Sequence, residues 1–123
     1  MDLELIKEIF IEVEKLEVGI PKAIKVEGHD STVVSRHIEM LYDDGRIEGF
    51  ASSTMATAVK DIMIKDTSLD GHHLLAALRS DTVFAKLKSA LSPSVLSVLT
   101  LKQIAFLASE VRLKAARNTL GLD

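Results

Sequence analysis

The spacing of apolar residues changes twice along this chain, and those changes decide what it can fold into. In residues 2–17, Leu3, Ile6, Ile9, Phe10, Val13 and Leu16 recur at three-four spacing, which gathers them on one helix face. Glu4, Lys7, Glu8, Glu12 and Lys15 fill the opposite face. Residues 46–50 and 59–65 instead read as two short strands. From residue 68 onward the helical spacing returns. The pattern predicts an α+β class that is mostly helical, with one β-hairpin between two helical parts.

Local punctuation sets the element boundaries. Asp2 is placed to cap the first helix, and Gly19 and Pro21 end it. Residues 22–27 alternate imperfectly, as a short strand does, and Gly28 turns the chain. Asp30 caps a helix over 31–43, whose Val34, Ile38, Leu41 and Tyr42 share a face and whose end is closed by Gly45. The small polar stretch Ala51–Ala58 makes the strands that flank it a hairpin, or wing. Ser68 caps a helix over 69–79, with Asp70 favourably placed in its first turn. Ser80-Asp81-Thr82 caps another over 82–91. Ser92-Pro93 is a cap followed by a first-turn proline. Thr100 and Gln103 have capping-box spacing, so a long helix is expected over 101–119, closed by Gly121. The simplest parse is one domain over 1–123. Residues 1–66 form a winged-helix-like part and 67–123 a helical C-terminal part.

Composition narrows the class further. At 123 residues, with 47% hydrophobic and 27% charged residues, the chain can bury a core, which excludes disorder and low-complexity scaffolds. With no cysteine, a disulfide framework, a thiolate zinc site and a thiol nucleophile are excluded. Net charge is −3, without the basic excess that a phosphate-neutralising protein carries. Residues 80–123 alone are basic, with 6 Lys or Arg against 3 acids. The longest uninterrupted apolar runs, such as Ile104–Ala108, reach 5 residues, whereas a membrane span needs roughly 18. The acidic N-terminus does not read as a secretory leader, so a cytoplasmic setting is expected.

Three stretches carry a resemblance. Ser35–Gly49 looks like the end of a winged-helix recognition helix running into the first wing strand. Together with Met1–Glu14 and with Thr67-Ser-Leu-Asp-Gly-His-His-Leu-Leu-Ala-Ala-Leu-Arg-Ser-Asp-Thr-Val-Phe84, it makes nearly the whole chain resemble the bacterial and phage domain-of-unknown-function 2513 family. The family pattern tends to carry an aromatic at Leu69 and tryptophan at Phe84, and both look like packing positions. The resemblance implies a winged-helix-like fold and a phage-related setting. It brings no established activity and no site residues.

Helix 31–43 is the first functional candidate. In a winged helix this element enters the major groove, so Ser31, Thr32, Ser35, Arg36 and Glu39 are the expected base-facing residues. Arg36 is the one cation there able to grip guanine with two hydrogen bonds. Ser53 and Lys60 of the wing, with Ser52, Thr54 and Thr57 nearby, are expected to meet phosphates. Duplex binding would need a positive strip joining Arg36, Arg46, Lys60 and Lys65, and Glu39, Asp43 and Asp44 oppose it. The alternative is a solvated face on a winged-helix scaffold that binds a protein partner instead.

Other constellations carry less. His72 and His73 point about 100° apart on a helix, His29 and His37 lie on different elements, and no helical His–x3–His or His–x3–Glu pair occurs, so no metal or cofactor is expected. His72 is expected to pack on the wing or to donate to a backbone carbonyl. Asp43 and Asp44 read as solvated last-turn residues rather than a catalytic pair. There is no nucleotide-binding or nucleophile-elbow motif, so no catalytic residue and no enzyme activity is expected. The aromatic residues fall mostly on expected core faces, which argues against stacking on single-stranded RNA. Residues 95–120 are apolar on more than one face, which predicts a homodimer through that segment. The leading expectation is therefore a small dimeric DNA-binding transcriptional regulator. A protein-interaction module is the alternative.

Overall fold

The computed structural model describes residues 1–52 and 61–122. They form six helices and one two-stranded antiparallel hairpin, a mostly helical α+β arrangement of winged-helix-like type. The chain divides into two compact units, Asp2–His72 and a second from His73 onward.

In the first unit, α1 spans Leu3–Glu14 and α2 Ser31–Asp43. Each begins at its expected carboxylate. Asp2 Oδ1 accepts from Leu5 N–H (3.2 Å), and Asp30 Oδ1 accepts from Thr32 N–H (2.9 Å) and Val33 N–H (3.3 Å). Leu3, Leu5, Ile6, Ile9, Phe10 and Val13 of α1 are buried, as are Val34, Ile38 and Leu41 of α2. The two helices pack on one another and on the hairpin, burying the stripes that the spacing foretold.

The hairpin pairs β1 (Ile47–Ser52) with β2 (Asp61–Thr67), from Ile47 opposite Thr67 to Ser52 opposite Asp61. A bulge falls between Glu48 and Gly49. The segment 22–27 differs from expectation. It makes one antiparallel bridge, with Lys22 N–H donating to Ile64 O (3.0 Å) and Ile64 N–H to Lys22 O (2.8 Å), and no further ladder. Pro21 has no N–H to extend the pairing backward. Ahead of the bridge, Ala23 and Ile24 turn to line a groove beside α2 instead of continuing along β2.

The link from hairpin to helices is tightly bonded. Ser68 N–H donates to Arg46 O (3.1 Å) and its hydroxyl to Gly45 O (2.6 Å), while Gly71 N–H donates back to that hydroxyl (3.0 Å). Ser68 thus caps α3 (Leu69–Arg79) and fastens it to the turn after α2, where Gly45 adopts φ 72°. Gly71 is required here. A Cβ at this position would overlap the Arg46 carbonyl and lie 2.7 Å from Thr67 Cγ2. The Ser-Leu-Asp-Gly run therefore encodes a cap and a close backbone approach. Leu69, expected to pack, is 72% exposed, because the residues that this turn directs inward are Gly71 and then Leu74.

In the second unit, α4 (Asp81–Ala90) starts at the Ser80 cap, and the four-residue α5 (Pro93–Leu96) starts at Ser92. Thr100 and Gln103 form the capping box that opens α6 (Leu101–Thr119). Leu74, Leu75, Leu78, Val83, Leu87, Leu91, Leu101, Ile104 and Ala108 are buried, and α4 packs on α6. Phe84 is half-buried beneath the Lys88 ammonium, 5.5 Å from the ring centre. Among the described residues, no helix is long and apolar enough to cross a membrane.

Candidate functional site

Helix α2 holds the first group of residues singled out from the sequence. Ser31, Thr32 and Arg36 are exposed, while Ser35 and Glu39 are half-buried. Ser35 turns toward a groove of about 340 Å³, which it lines with Ala23, Ile24, Ile38, Ile62, Met63 and the carboxylate-bearing Asp61. Ser53 and Lys60, with Thr54 and Thr57, lie outside the described residues, as does the side chain of Ser52.

Two features reduce the attraction of this face for phosphate. The first is the start of α2, where the amides of Thr32 and Val33 already donate to Asp30. A helix N-terminus attracts anions through such free amides, and here a carboxylate has taken them. The second is Arg46, expected in the positive strip. Its Nε donates to Asp44 Oδ2 at 2.8 Å and its Nη1 to Asp70 O at 3.1 Å, and the two side chains are only 16% and 10% exposed. Asp44 is therefore no solvated last-turn residue. It neutralises the guanidinium that anchors the turn between α2 and β1 to the start of α3. Residues 2–72 hold 15 acids and 8 Lys or Arg, a net charge of −7.

The histidines are arranged differently from expectation. His72 is exposed. His37 is the one that meets a backbone carbonyl, with Nδ1 2.8 Å from Val33 O and Nε2 accepting from Asp2 N–H at 3.0 Å. His29 Nε2 lies 2.9 Å from Glu8 Oε2. Sequence reasoning missed His37, although a signal was present: it falls on the Val34–Leu41 stripe, so burial required two partners for its ring. The Asp44–Arg46 pair had no such signal, because a two-residue spacing across a turn does not reveal which way either side chain points. Among the described residues, no three His, Cys, Asp or Glu side chains group as metal ligands do.

The aromatic residues also depart from the expected core placement. Phe10 is buried, Tyr42 and Phe84 are half-buried, and Phe50 and Phe106 are exposed. The core selected Ile and Leu at the tightest positions of the hairpin and α6, leaving these two rings on outer faces.

Among curated proteins and among solved structures, none matches the chain. A family model does: the one described as "Hypothetical protein (DUF2513)" matches residues 1–96, which takes in α1, α2, the hairpin, the Ser68–Gly71 link and α4. With more than half of its length matched, the chain belongs to the domain-of-unknown-function 2513 family.

Proposed function

We propose that this protein is a non-catalytic, cytoplasmic interaction module that uses a winged-helix-like scaffold to bind a protein partner. The observation that carries the reading is the capture of Arg46 by Asp44 and by the Asp70 carbonyl. That capture takes one of the expected phosphate-binding cations out of service in a unit of net charge −7. The surface left for a partner combines the exposed side of α2 with the adjoining groove of mixed polarity, where Met63 supplies an adaptable side chain and Asp61 an acidic one.

A second reading, a DNA-binding transcriptional regulator of phage-related type, draws support from one observation. Ser31, Thr32 and Arg36 stand together on the exposed, N-terminal part of α2, where a recognition helix would carry its base contacts. In that reading α2 enters the major groove and the wing touches the backbone.

A duplex DNA titration of the full chain at low and moderate salt, with wild type beside Arg36→Ala, separates the two. The interaction module gives no saturable binding at low salt and no difference between the proteins. Salt-sensitive binding that weakens on losing Arg36 would overturn it and favour the regulator.

A further inference from the structure

The outer face of α6 carries a second pattern besides the one that packs inward. Leu101, Ile104 and Ala108 are buried, yet Phe106 (65%), Leu113 (62%) and Leu120 (73%) are exposed. These three are spaced seven residues apart, so they form one stripe that drifts only about 20° per repeat. Three residues after each of the first two comes a small exposed residue, Ser109 and then Ala116. The next positions are Glu110 and Arg117, also exposed and of opposite charge.

We propose that this stripe is a self-complementary docking surface on which the α6 of a second copy lies antiparallel. In an antiparallel helix pair, each large stripe residue shares a layer with the small residue of the partner helix. Leu113 of each copy then faces Ala116 of the other, and Leu120 of each faces Ser109, so these four layers each combine a bulky knob with a shallow hole, while Phe106 falls beyond the end of the second copy's α6. The same register sets Glu110 beside Arg117 of the second copy, and the twofold axis makes this contact twice. The guanidinium offers five donors in a fork, enough to serve a second carboxylate alongside its own contacts. A parallel pairing fails on both counts. It would set Ser109 on Ser109 and Ala116 on Ala116, leaving gaps, and would bring Arg112 against Arg117 of the second copy. Large-to-small alternation and opposite charges thus select the same occupant and the same direction. The inference stands apart from the reading above, since no residue of α2 or the hairpin enters it.

Sedimentation equilibrium of the full chain tests it. The expected result is a reversible dimer of twice the 13.4 kDa chain mass. Leu113→Glu leaves the helical circular dichroism unchanged and yields monomer, because the residue is exposed within one copy. Arg117→Glu weakens the dimer roughly tenfold by setting two carboxylates side by side at both symmetric contacts, and adding Glu110→Arg restores it. A monomer at all concentrations, or a dimer indifferent to Leu113→Glu, would overturn the proposal. So would a dimer strengthened by Arg117→Glu, the outcome that parallel helices would give by relieving Arg112.

Discussion

His37 holds the backbone N–H of Asp2 on its Nε2, 3.0 Å away, while its Nδ1 lies 2.8 Å from Val33 O. Asp2 is the N-cap of α1, so one residue uses its carboxylate to cap its own helix and its amide to tie that helix to α2. The carbonyl can only accept, so Nδ1 carries the proton and Nε2 is left as the acceptor that Asp2 needs. His37 is 8% exposed, and its two bonds are part-buried at the edge of the contact between the helices.

The first expectation concerns that ring. Long-range nitrogen–proton NMR at neutral pH should report the Nδ1–H tautomer for His37. Replacing it with Phe keeps the ring but strands the Asp2 amide, and should cost about 1–2 kcal/mol in urea unfolding. An Nε2–H tautomer, or a Phe variant as stable as wild type, contradicts the arrangement.

Gly71 supplies a test by sign. In an ordinary exposed helix, Gly→Ala stabilises by roughly 1 kcal/mol. Here the new methyl would overlap the Arg46 carbonyl, so Gly71→Ala should destabilise by about 2 kcal/mol or more, measured by thermal or urea unfolding. A stabilised variant would mean that α3 does not start against this turn.

The arginine within α2 and the one just after it should behave differently. Arg46→Ala removes the cation paired with the mostly buried Asp44 carboxylate and should lower stability by about 1–3 kcal/mol. Arg36→Ala removes an exposed side chain and should change stability by less than about 0.5 kcal/mol. Equal effects in chemical denaturation would show that Arg46 is not part of the structural frame.

Thr67 closes β2 with its hydroxyl buried and without a hydrogen-bond partner among the described residues. Thr67→Val keeps the shape and removes the unsatisfied group, so its melting temperature should match or exceed that of wild type. Thr67→Ser keeps the hydroxyl and loses the methyl that lies over Gly71, and should be the less stable of the two. Reversal of that order would show that the hydroxyl is satisfied.

By itself the sequence determined what depends on near neighbours. Capping residues, with helix periodicity for α1 and α2, located α1, α2, α3, α4 and α6 to within a few residues, because each starts at a side chain that bonds amides two or three positions on, a contact made within one turn. The hairpin, its place after Gly45 and the family likeness were legible for the same reason. Only the tertiary structure decided the rest. It reduced the 22–27 strand to one bridge at Lys22, buried His37 instead of His72, and closed Asp44 on Arg46 at the expense of the positive strip. It also left Leu69, Phe50 and Phe106 outside. Each of these outcomes depends on which residues far apart in sequence are pressed together, and apolar spacing alone says that a face is buried without saying what buries it.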